Sequence, residues 1–283
     1  MSTIDQAFIR AYQSEQAKSS PVRSDAPVGG PHVQFPAAGG AGAGARRPLS
    51  TFTAPPPVEG RFRPALEVDA VRWPDVVDIL VQRHAARFDA ARDVLHAAHQ
   101  SGRTLIGVAG AASAIGCTTT TLCLARLLID DGLSVALVDA HFVAAGLART
   151  LGMAVDVGWE DVLAGRLPLA EAAVHSLGDR LALLPLVQGG VAAAEKLESI
   201  HASVTAGVLR YHYDLVLFDL GALADAAQRA IAGRVVQRCR LDGAALVVDA
   251  ARARQASPAR LTAAAPALAA ICLGVVENAG AAA

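Results

Sequence analysis

Thr104-Leu105-Ile106-Gly107-Val108-Ala109-Gly110-Ala111-Ala112-Ser113-Ala114-Ile115-Gly116-Cys117-Thr118-Thr119-Thr120-Thr121-Leu122-Cys123-Leu124-Ala125 is the stretch that decides the fold. Its first six residues are a continuous apolar run, the pattern of a strand covered on both faces. A loop of small residues follows, Gly110 to Gly116, and then a threonine run opening a helix. Small residues let backbone N–H groups approach an anion, and a helix N-terminus directs its unpaired donors and its dipole at the same point. A full phosphate loop adds a lysine for the phosphate charge and a hydroxyl for magnesium. Aligned on Gly116, this loop supplies the hydroxyl in Thr118, but Cys117 occupies the lysine position.

Working outward, five more short apolar runs alternate with helical segments: Ser134 to Asp139, Leu181 to Leu186, Asp214 to Asp219, Ala244 to Asp249 and Ile271 to Glu277. Strands separated by helices imply right-handed crossovers. The expected fold is therefore α/β, a doubly wound, mostly parallel sheet with helices on both faces. Asp139 and Asp219 each close a strand, and the carboxyl ends of parallel strands are where such sheets bind ligands. A helical pattern over Asp75 to Gln100 begins just after Trp73-Pro74, where proline suits a helix start. Trp159 is expected to pack in the core.

Ahead of this domain, assigned to residues 68–283, two segments differ in composition. Residues 17–67 are rich in Pro, Gly, Ala and Ser, which cannot bury a core and predict a disordered tether. Residues 1–16 predict a short amphipathic helix. Thr3 and Gln6 have capping-box spacing, and Ile4, Phe8 and Tyr12 share one face. This helix reads either as a recruitment motif or as a segment docking on its own domain.

Composition excludes several classes. Hydrophobic residues make up 53% and charged residues 18% of the 283, ample material for a core. A net charge of -1 gives no electrostatic footprint for nucleic acid. Cys117, Cys123, Cys239 and Cys272 have no C-x-x-C spacing and no histidine cluster beside them, so neither a disulfide framework nor a zinc site is expected. No run is long and apolar enough to span a bilayer. A cytoplasmic protein is the expectation, brought to the inner face of the membrane by a partner if it works there.

The motifs in order resemble the bacterial tyrosine kinases of exopolysaccharide systems and their MinD/ParA relatives. The resemblance runs from about residue 102 to 278. It is carried by Gly116-Cys117-Thr118-Thr119, Val138-Asp139-Ala140-His141-Phe142, Gly158-Trp159-Glu160-Asp161-Val162-Leu163, Asp214-Leu215-Val216-Leu217-Phe218-Asp219 and Gly274-Val275-Val276-Glu277-Asn278. It implies a P-loop NTPase-like fold and an ATP or ADP site with Mg2+. Ala111, Gly116, Cys117, Thr118 and Thr119 would hold phosphates, Asn278 would touch adenine, and Thr118, Asp139 and Asp219 would hold the metal. It also implies a membrane-bound polysaccharide chain-length regulator or a related kinase as partner, and it allows a homo-oligomer.

The departures from that pattern carry as much weight. The lysine is Cys117, the second acid of the family's Asp-x-Asp is His141, and the arginine that follows is Val143. No tyrosine cluster ends the sequence. Preorganised charge is usually the largest catalytic term, and one lost neutral donor costs roughly 3–4 kcal/mol elsewhere. A missing ammonium therefore predicts weak or absent nucleotide binding and a pseudoenzyme acting as a regulatory or scaffolding partner. Asp139 and Asp219 would then be ancestral acids. Two alternatives stand beside it: an active ATPase or kinase with a relocated lysine, for which Lys196 is the candidate, and a redox-responsive module. In the latter, the helix N-terminus would lower the Cys117 pKa.

Overall fold

The computed structural model describes residues 62–249 and 265–278, so the readings of residues 1–61 lie outside the described residues. Each of the six apolar runs forms a strand. They are β2 (Leu105–Gly110), β3 (Val135–Asp139), β5 (Leu181–Leu184), β6 (Leu215–Ala222), β7 (Gly243–Asp249) and β8 (Cys272–Asn278). Two further strands, β1 (Leu66–Val68) and β4 (Val174–Ser176), complete an eight-stranded sheet ordered β1-β4-β5-β3-β6-β2-β7-β8. All pairings are parallel except β4 with β5. β1 begins within the stretch expected to be tether, where Leu66 pairs with Val174. Neither short strand is legible in advance, because three residues carry no periodicity and their pairing is set by distant partners.

Side chains alternate between two buried layers. Leu105, Val216 and Phe218 enter one, and Ile106, Leu215 and Leu217 enter the other. The first layer is covered by the helices at Ile200–His212 and Ala226–Cys239. At its centre the fully buried Trp159 ring lies 5.6 Å from Phe142 and 6.2 Å from Phe218. Aromatic pairs at that spacing add about 0.5–1.5 kcal/mol beyond their area.

The second layer is covered by three helices, numbered here in chain order: α1 (Asp75–Arg83), α2 (Ala85–Gln100) and α3 (Cys117–Asp130). The helix expected over residues 75–100 is thus two helices meeting at His84, which has non-helical φ/ψ. α1 buries Val77 against α3, whereas α2 buries Phe88, Leu95 and Ala98 and packs along both α3 and β8. Two partners in two directions turn the axis. A single apolar periodicity does not show that.

Candidate functional site

β2 ends at Gly110, and the chain returns through residues 111–116 to start α3 at Cys117. Gly116 has φ +82, and a Cβ there would stand 2.7 Å from Asn278 Nδ2, so the turn requires glycine. Asn278 Nδ2 donates to the Ile115 carbonyl at 2.6 Å and ties the loop to the end of β8. That contact places Asn278 at the loop, where its amide serves the loop's own backbone. Ala114 has φ +54, an uncommon conformation for a residue with a Cβ.

No side chain caps α3. The first three N–H groups of a helix have no intrahelical acceptor, and in α3 they belong to Cys117, Thr118 and Thr119. A cavity of about 260 Å³ opens there, lined by residues 112 and 114–119 together with His141, Gly221 and Ala222. It is smaller than the roughly 300–1,000 Å³ typical of small-molecule pockets and suits the phosphate end of a ligand better than a whole nucleotide. Ala111 is not on the wall; its N–H donates to Val247 O at 2.8 Å in strand-like pairing. Among the described residues, no lysine or arginine lines the cavity.

Behind the loop lie the two acids. β3 and β6 pair with Asp139 opposite Asp219, both 1% exposed. Asp219 accepts hydrogen bonds from Thr118 Oγ1 (2.5 Å), from the Cys117 thiol (3.3 Å) and from Gly221 N (3.1 Å). Asp139 accepts from the backbone N–H groups of His141 (3.2 Å), Gly146 (3.0 Å) and Leu147 (3.0 Å). Burial, with the neighbouring Asp219 charge adding to it, pushes the Asp139 carboxyl up to about 6 despite those three donors.

Cys117 corrects the redox expectation. The thiol is buried between Val108 O and Asp219, and burial together with the adjacent carboxylate raises its pKa well above the ordinary value. The helix N-terminus is outweighed by desolvation and a like charge, so the thiolate needed for redox reactivity is disfavoured.

Nor does the expected substitute lysine reach the cavity wall. Lys196 lies on a short 3-10 segment, half-buried, and its charge acts on Asp161. Arg126, on α3, stacks over Trp73 at 5.4 Å and pairs with Asp130. The residue that sequence reasoning undervalued is His141. In the sequence it stands only as a missing acid, yet it forms part of the wall. The ring packs on Gly221, which has φ +64 and where a Cβ would meet His141 Cδ2 at 2.2 Å. The signal available in the sequence was Gly221 itself, two residues after the strand-closing acid.

No protein-family model matches this chain, and no curated protein matches it in sequence. Solved structures do match. The BceF tyrosine kinase domain is similar over 74% of this chain and 91% of its own, at 19% identity and a TM-score of 0.54. The chimerical protein CapA2B2 covers 74% and 92%, at 15% identity and a TM-score of 0.60. The kinase domain of the Escherichia coli tyrosine kinase ETK covers 68% and 73%, at 20% identity and a TM-score of 0.55. The described residues therefore share the fold of these bacterial tyrosine kinase domains.

Proposed function

We propose that this domain is a catalytically impaired P-loop module that holds the phosphates of ATP or ADP weakly and acts as a regulatory or scaffolding partner in exopolysaccharide biosynthesis or cell-envelope assembly. The observation that carries this reading is a cavity at a helix N-terminus whose wall, among the described residues, holds no lysine or arginine. Backbone donors and the helix dipole attract an anion there. Phosphoryl transfer needs positioned positive charge on the migrating group, which those donors do not supply. The polysaccharide setting follows from likeness to kinase domains of such systems. So does a membrane-bound chain-length regulator, or a related kinase, as partner. Among the described residues no helix is long and apolar enough to cross a membrane.

Calorimetry with ATP, paired with a phosphate-release assay on the full chain, tests the reading. The expected result is weak binding without turnover. Cys117→Lys, whose ammonium would extend into the cavity, is expected to tighten ATP by roughly ten- to a hundredfold, the range of a hydrogen bond to a charged group. Turnover in the unaltered chain that disappears in Lys196→Ala would refute impairment and establish a relocated lysine.

A further inference from the structure

The arrangement of acids at this cavity disagrees with a magnesium site. Resting on the reading of the loop as a phosphate site, we propose that its ligand binds as a metal-free polyphosphate anion, with the His141 imidazole as its side-chain partner.

Mg2+ demands near-octahedral oxygen ligands and usually takes one or two carboxylates along with the phosphates. Here neither Asp139 nor Asp219 reaches the cavity wall. Asp219 has both oxygens engaged, by Thr118 and by Cys117 with Gly221 N. Turning Asp139 outward would strand three backbone donors in a site that is 1% exposed. The Thr118 hydroxyl, at the metal-ligand position of such a loop, donates to Asp219 at 2.5 Å and is fixed against the buried acid, so it could offer a cation only its oxygen lone pairs. Among the described residues no group of three His, Cys, Asp or Glu side chains is placed to hold a metal ion.

The wall offers anion chemistry in its place. His141 is half-buried, and its imidazole makes no hydrogen bond to any described residue. An imidazole carries an N–H donor in either protonation state. Its seat on Gly221 holds the ring beside the N-terminus of α3. Where the resemblance would put a carboxylate to help hold a cation, this chain puts a donor. Relative to the resembled pattern, this chain lacks a positive charge at Cys117 and a negative charge at His141.

The test titrates ADP, and then pyrophosphate, into the full chain by calorimetry, once with excess Mg2+ and once with EDTA. ADP is expected to bind with affinities agreeing within about twofold in the two buffers, with pyrophosphate competing. His141→Ala is expected to weaken both titrations roughly tenfold. His141→Gln, which keeps an N–H donor and much of the volume, should retain more affinity than His141→Ala. His141→Asp should make ADP binding Mg2+-dependent. Binding tenfold or more tighter with Mg2+, or an unchanged affinity in His141→Ala, would overturn this inference while leaving the phosphate site in place. Absence of binding in both buffers would overturn the phosphate site as well.

Discussion

Asp139 sets two opposing effects against each other, and its substitution by asparagine shows which prevails. Three backbone N–H groups point at the carboxylate, which alone would favour the ionised form. Burial and the adjacent Asp219 oppose ionisation and prevail, raising the value from an ordinary 3.8 to about 6. At about 1.4 kcal/mol per unit, the rise makes ionisation in the folded state costlier by about 3 kcal/mol. Below about pH 4 the group is protonated in both the folded and unfolded chains and contributes nothing. Between about pH 4 and 6 the unfolded chain releases the proton first, so it binds fewer protons than the native state and stability falls as pH rises. Above about pH 6 the full penalty is present. In Asp139→Asn the group stays neutral throughout. The amide keeps its oxygen facing Gly146 and Leu147, and its NH2 against the His141 N–H adds a constant cost that shifts the curve without tilting it. Urea unfolding of both proteins at a series of pH values, compared at equal m-values, measures the difference. The unfolding free energy of the unaltered chain minus that of Asp139→Asn is expected to drop by about 3 kcal/mol from pH 4 to pH 7. A flat or rising difference would refute the argument, because it would mean that the three backbone donors outweigh burial and the Asp219 charge.

Two further outcomes follow from the loop. Ala114 sits at φ +54, which costs an L-residue roughly 1–2 kcal/mol, while glycine's extra freedom in the unfolded chain returns about 0.5–1. Ala114→Gly is therefore expected to stabilise the protein by about 0.5–1 kcal/mol in urea unfolding, and destabilisation would show that the strain assigned to the turn is absent. Cys117 should resist iodoacetamide at neutral pH in the folded protein and react fully once the chain is unfolded, read by mass spectrometry; rapid labelling in the folded state would reinstate the redox reading.

Local sequence determined the β2–loop–α3 unit, the six long strands and the two strand-closing acids, because each is written in contiguous residues. An apolar run buried on both faces looks the same wherever it lies in the sheet. Glycine at Gly116 and the threonines after it announce a turn into a helix N-terminus without any tertiary information. That Cys117 follows Gly116 is likewise a one-dimensional fact. What folding alone decided depends on residues far apart in the chain. β1 and β4 exist because Leu66, Val174 and Leu183 align across the sheet edge. The break at His84 lies where α1, packed on α3, gives way to α2, which packs on β8 as well as α3. The Cys117 pKa is raised because folding buries the thiol and sets Asp219, a hundred positions on, against it. His141 became part of the cavity wall because β3 and β6 pair side by side and Gly221 leaves room for its ring. Hydrogen bonding and desolvation act through space, so the chemistry of a side chain at this site was set by neighbours that its own stretch of sequence does not contain.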